Sequence, residues 1–198
     1  MSTLEVSTAL VAQARFRALL NALARPGLPM SLGQPAVAPR GAAFAYLLGV
    51  AETLLDHEVG FAAIGSEAGG PAITTFLEEV RLRTGASSVS AARARFVFVF
   101  GAGGPALRGL AVGTPEYPDE SATLLWHVPV GAPRLQVVLA GPGVDQERHC
   151  ELPGIVAADI AVLGEINAAY PLGLDLFLVG EEGNAVGLPR SVRVRLLG

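Results

Sequence analysis

The sequence predicts an α/β fold: a single domain, residues 1–198, built as an α/β/α sandwich with a mixed sheet between helical layers. Three observations lead there. Segments of helical periodicity lie early and late in the chain, apolar strand-like runs lie between them, and the chain closes in extended segments folded antiparallel about a polar turn. With 198 residues, 51% hydrophobic and 16% charged, the chain is long enough to bury about 70% of its unfolded surface without a disulfide or metal staple. No internal repeat or low-complexity linker divides it.

The first helix is expected over residues 8–24, where Ala9, Ala12, Phe16, Leu19, Leu20 and Leu23 recur at helical spacing. Ser7 or Thr8 would cap its start and Pro26-Gly27 would stop it. On its other side Gln13, Arg17, Asn21 and Arg25 form a polar line, which suits either a solvated face or a contact with an anion or partner. An extended piece at 30–32 leads through Pro35 and Pro39 to a second, almost wholly apolar helix at 42–55. A strand at 59–64 follows, and Pro71 then suits the first turn of a third helix, 72–83, ended by Gly85. Residues 95–100 (Arg-Phe-Val-Phe-Val-Phe) form the clearest strand, because aromatic and β-branched residues fit a pleated surface. Residues 101–113 are Gly-rich, with one helical turn near Leu107. Strands at 122–128 and 135–140 are separated by Pro129 and the 131–133 turn. The last helix spans 155–168, between Pro153 and Tyr170-Pro171. Residues 174–179, the turn 181–184, and the segments 185–188 and 192–196 complete the chain.

Composition excludes several chemistries. All 14 basic residues are arginine, so neither a Walker A loop nor an internal pyridoxal phosphate aldimine has its lysine. A net charge of -4 with scattered arginines forms no basic stripe for nucleic acid. No apolar run reaches the roughly 20 residues needed to span a bilayer, the first basic residue is Arg15, and Cys150 is the sole cysteine. A soluble, cytoplasmic protein is therefore expected.

Individual motifs point weakly. Gly101-Ala102-Gly103-Gly104 follows a strand, where a dinucleotide loop would sit, but Gly109, Gly113, Pro115 and Pro118 interrupt the long helix such a loop requires. It remains the basis of one alternative, a stand-alone enzyme that binds a nucleotide or anionic metabolite. A purely structural dimer is another. His57, His127, His149 and Cys150 lack the paired spacing of a metal site, since adjacent His149 and Cys150 would face opposite sides of a strand, and no serine lies in a nucleophile elbow. No metal is expected and no catalytic residue is identified. Asp175 lies in an apolar strand, and a turn centred between Glu182 and Gly183 would set Arg190 opposite it. That pair would either fix register or orient the arginine toward an oxyanion.

The same segments carry a resemblance. Phe16-Arg17-Ala18-Leu19-Leu20 with Arg25-Pro26-Gly27, then Gly113-Thr114-Pro115 and Pro118, Leu139-Ala140-Gly141-Pro142-Gly143-Val144, and finally Tyr170-Pro171-Leu172-Gly173-Leu174-Asp175 with Leu188-Pro189-Arg190 are similar to the PhnH family. These are the H subunits of the bacterial carbon-phosphorus lyase core complex. The resemblance implies a role in phosphonate catabolism with G, I and J subunits as partners. The step linked to G, H and I joins a phosphonate to the ribose of ATP with loss of adenine, giving a ribose 1-phosphonate 5-triphosphate. It further implies a fold like the large domain of pyridoxal phosphate transferases without the cofactor, and a homodimer when isolated. Arg17, Arg25, Asp175 and Arg190 are the candidates for ligand or partner binding.

Overall fold

The computed structural model describes residues 3–37 and 42–197. Helix α1 spans Thr3–Ala24 and is followed by strand β1, Pro29–Ser31. Helix α2 is Ala45–Leu54, β2 Gly60–Ile64, α3 Pro71–Thr84, β3 Ser87–Ser88, β4 Phe96–Val99 and β5 Thr123–Val128. Then come β6 (Arg134–Ala140), β7 (Arg148–Pro153), α4 (Ala157–Asn167), β8 (Asp175–Gly180), β9 (Asn184–Leu188) and β10 (Arg193–Leu196). No helix among the described residues is long and apolar enough to cross a membrane.

Seven strands form one mixed sheet in the order β1-β9-β8-β5-β4-β2-β3. The run from β8 to β3 is parallel, while β9 and β1 add antiparallel strands at one edge. Parallel strands need cover on both faces, and the central ones show it at period two. Phe98 and Phe100, Leu125, and Phe177 and Val179 point to the side covered by α1, α2 and α3. Val97 and Val99, Leu124 and Trp126, and Leu176 and Leu178 point to the other. There the cover is α4 together with a second, three-stranded antiparallel sheet, β10-β6-β7. This second sheet is absent from the sequence reading: β7, with its alternating exposed and half-buried residues, lacks the continuous apolar run of a central strand.

Two further differences concern α1. The helix begins before Ser7 and Thr8, so neither caps it; nothing in residues 3–8 breaks helical geometry, and a capping residue stabilises an end only where the chain turns. The packed face also differs from expectation. It holds Arg15, Leu19 and Ala22, whereas Phe16 and Leu20 are 44% and 52% exposed. The cause is a close approach: a Cβ on Gly187 of β9 would lie 2.5 Å from the Ala22 carbonyl carbon. Docking α1 on a side-chain-free stretch of strand through its own alanine fixes its rotation and turns Phe16 and Leu20 outward.

The terminal hairpin is displaced by one residue from the predicted register. Leu176 pairs with Leu188 and Val179 with Ala185, so Asp175 falls opposite Pro189 rather than Arg190. A three-residue loop centred on Glu182 produces this shift, with Gly183 closing it by an N–H donated to the Gly180 carbonyl.

Candidate functional site

At the amino ends of β5 and β8, Arg190 and Asp175 meet despite the register shift. Arg190 lies just beyond β9, and its backbone N–H donates to Asp175 Oδ1 at 2.7 Å. Its Nε and Nη2 donate to Asp175 Oδ2 at 3.1 and 2.5 Å. Nη1 reaches the Pro118 carbonyl at 2.8 Å and the Pro171 carbonyl at 3.4 Å. One guanidinium thus ties together four pieces of chain, and its donor fork is largely spent on the protein itself. The approach to β8 is fixed in the same way. Asn167, at the end of α4, accepts from the Leu174 N–H and donates to the Leu174 carbonyl. Between them Gly173 has φ of +138° and leaves no room for a Cβ beside Asn167 Oδ1.

Ligands of open parallel sheets bind beyond the carboxyl ends of the strands. In this chain only the part of that edge beyond β2 and β4 is stitched closed, while at the ends of β5 and β8 a cavity of about 780 Å³ lies between Val128, Val130, Gly180, Glu181 and Cys150. Beyond β2 and β4, Ser66 N–H donates to the Ala102 carbonyl, Glu67 N–H to the Phe100 carbonyl, and Ala102 N–H to Ser66 Oγ. The Gly-rich loop is likewise occupied: Gly104 N–H donates at 2.7 Å to Oδ1 of Asp159, a fully buried acid in the first turn of α4. A carboxylate already sits where an anionic ligand would seek that amide. Gly103 packs on Leu107 and Trp126, so the loop is a packed connection and not a phosphate cradle.

The other polar contact at this edge is His127 of β5, whose Nε2 lies 3.1 Å from Glu181 Oε1. The second Glu181 oxygen accepts from Val130 N–H. The imidazole stacks near Phe44 and Phe100. Burial pulls its pKa below the ordinary value of 6.5, outweighing the upward pull of Glu181, the Ala43 backbone and Glu67. The ring is therefore neutral at pH 7 and the Glu181 contact is a hydrogen bond rather than an ion pair.

Sequence reasoning missed Arg15. It is 3% exposed, and it donates through Nη1 to the Gly49 carbonyl and Thr53 Oγ1 and through Nη2 to the Gln34 carbonyl. Burial lowers its pKa from the usual guanidinium value, partly opposed by Glu52. The signal was present: Arg15 stands one helical turn before Leu19 on the stripe that packs. The expected candidates Arg17, on α1, and Arg25, just past its end, are exposed, and neither forms an ion pair with another described residue. Among the described residues no hydrogen bond or ion pair links either of them to Asp175 or Arg190. Cys150 is half-buried beside Gly27, with burial raising its thiol pKa, and His149 faces the opposite side of β7, exposed. Among the described residues no three His, Cys, Asp or Glu side chains converge as a metal-ligand set.

Residues 6–195 match the sequence profile of the family described as "Bacterial phosphonate metabolism protein (PhnH)". The chain belongs to the PhnH family. It is 31% identical over 189 residues to "Alpha-D-ribose 1-methylphosphonate 5-triphosphate synthase subunit PhnH" of Rhizobium meliloti (strain 1021), covering 92% of this chain and 90% of the relative. It is 32% identical over 191 residues to "Putative C-P lyase subunit protein HtxG" of Stutzerimonas stutzeri, covering 94% of this chain and 87% of that one. The family-like motifs at 170–175 and 188–190 are thus the two sides of the Asp175–Arg190 clasp.

Two outcomes follow from this geometry. Arg190→Ala and Asp175→Ala should each cost about 2 to 3 kcal/mol, since each strands a half-buried charge, and the double variant should cost clearly less than their sum. A denaturant double-mutant cycle measures this. For His127 the unfolded chain binds the proton more readily than the folded one, so its contribution is complete above about pH 6.5 and declines as pH falls below that value. Urea titrations at a series of pH values between about 7 and 5 should show His127→Gln losing less stability on acidification than the parent protein.

Proposed function

We propose that this chain is the H-type subunit of a carbon-phosphorus lyase system and that it works as an assembly component. The observation that carries the reading is a family match spanning residues 6–195, supported by relatives named as subunits and aligned over about nine-tenths of their length. In this reading the chain acts with G, I and J subunits, and with G and I it supports formation of a ribose 1-phosphonate 5-triphosphate from ATP and a phosphonate. In that reaction the bond from ribose C1′ to adenine breaks, a phosphonate oxygen takes its place, and the triphosphate stays on O5′.

The geometry favours support over solo chemistry. A catalyst needs polar groups free to meet a substrate, whereas Arg190, Asp159 and Glu181 each spend hydrogen-bonding capacity on the chain's own backbone. We further infer one cytoplasmic domain related to the large domain of pyridoxal phosphate transferases, working without the cofactor, and a homodimer when no partner is present. No catalytic residue is assigned to the chain.

Co-expression with the G, I and J subunits of the same organism tests the proposal. A tag on any one of them should retain this chain through size-exclusion chromatography, and leaving it out should abolish triphosphate product formation. Full product formation without it, or failure of the chain to be retained, would reject the proposal.

A further inference from the structure

Residues 6–51 contain no aspartate or glutamate, in a chain that carries 18 acidic residues. The helix built from the first half of this segment leaves a mixed apolar and cationic face uncovered. Leu10 is 59% exposed and Leu28, just past the helix, 37%. Phe16 and Leu20, turned out by the Ala22–Gly187 approach, are exposed as well, and the exposed Arg17 shares the outward side of the helix with Leu20, three residues on, and Leu10, seven residues back, with exposed Arg25 just past the helix end. Aromatic and aliphatic anchors beside arginines that form no ion pair with another described residue have the composition of an interface centre, and single-sign charge on such a patch selects an opposite-sign partner.

We propose that this outward face of α1 docks another protein subunit, one that presents an apolar groove or helix face flanked by carboxylates. The proposal rests on the assembly role given above and adds to it the surface used and the chemistry of the partner. A second copy of the chain fits this face poorly. Two-fold packing sets a patch against itself, and the face would then bring Arg17 and Arg25 against their own copies with no acid anywhere in residues 6–51 to meet them.

The full-length chain co-expressed with tagged G, I and J subunits provides the test, using Phe16→Glu, the double variant Arg17→Glu/Arg25→Glu, and Leu82→Glu as a control. Leu82 is 71% exposed on α3, remote in sequence from this face. Both α1 variants should be retained at least about tenfold less than the parent chain, with unchanged thermal midpoints, while Leu82→Glu is retained normally. The arginine variant keeps the test valid even if Phe16→Glu folds poorly. Normal retention of both α1 variants overturns the docking face and leaves the assembly role standing. Failure of the parent chain itself to be retained overturns the assembly role, and this partner with it. A shift of the isolated chain from dimer to monomer in either α1 variant, by sedimentation, would show that the face joins two copies and would overturn the choice of partner.

Discussion

The constraint on which the molecule depends is two-sided burial of the central parallel strands. Val97 to Phe100, Leu124 to Trp126 and Leu176 to Val179 are all almost fully buried, so every second side chain must find cover on each face. Burial of one such side chain contributes about 1.5 to 3 kcal/mol, which makes both covering layers obligatory. Three helices supply one layer. The single helix α4 is too narrow for the other, and the β10-β6-β7 sheet completes it, with Val137, Leu139 and Leu152 joining the core. The long chain excursion between β5 and β8 therefore serves to cover the sheet.

Polar groups were recruited to the junctions of these layers. Arg190 and Asp175 bind the end of β9 to the start of β8 and to the loops at Pro118 and Pro171. Asp159 links α4 to the Gly-rich connection, Glu181 links β5 to the turn after β8, and Arg15 fixes α1 to α2 and to the segment at Gln34. A buried ionisable group is tolerated where the protein supplies its hydrogen bonds. Arg190 and Glu181 meet that condition with backbone as well as side-chain partners, whereas Asp159 meets it through the Gly104 N–H alone, and its Oδ2, like Arg15 Nε, is buried without a partner among the described residues. Two of the motifs that carry the family resemblance, at 170–175 and 188–190, hold elements together through Asp175 and Arg190.

Much of this was legible in the sequence. Strands β2, β4, β5, β6, β8 and β9 carry runs of apolar residues, and α3 carries its Pro71 start and Gly85 stop, so local chemistry located them. The Asp175–Arg190 pair could be read because a carboxylate in an apolar strand demands a partner. What could not be read depends on tertiary approach. The face that α1 packs is decided by the absence of a side chain at Gly187, distant in sequence. The hairpin register is decided by whether the turn centres on Glu182 or half a residue later, a difference that residue types alone do not settle. Strand β7 and the edge strand β3, Ser87–Ser88, exist through pairing with neighbours and have little apolar signal of their own. Arg17 and Arg25 stood out in the sequence as a polar line, but only the exposure of the outward side of α1 connects them with Phe16 and Leu20.

The central claim is that Arg190, Asp159 and Glu181 are committed to the chain's own fold, and we propose that ligand chemistry arises only in the assembly. Isothermal titration of the purified chain with ATP and with methylphosphonate, singly and together, tests it most directly. The account predicts no saturable heat for the isolated chain, and saturable binding once G and I subunits are present. Stoichiometric binding of either compound by the chain alone, lost in an Arg190→Ala variant that remains folded, would contradict it.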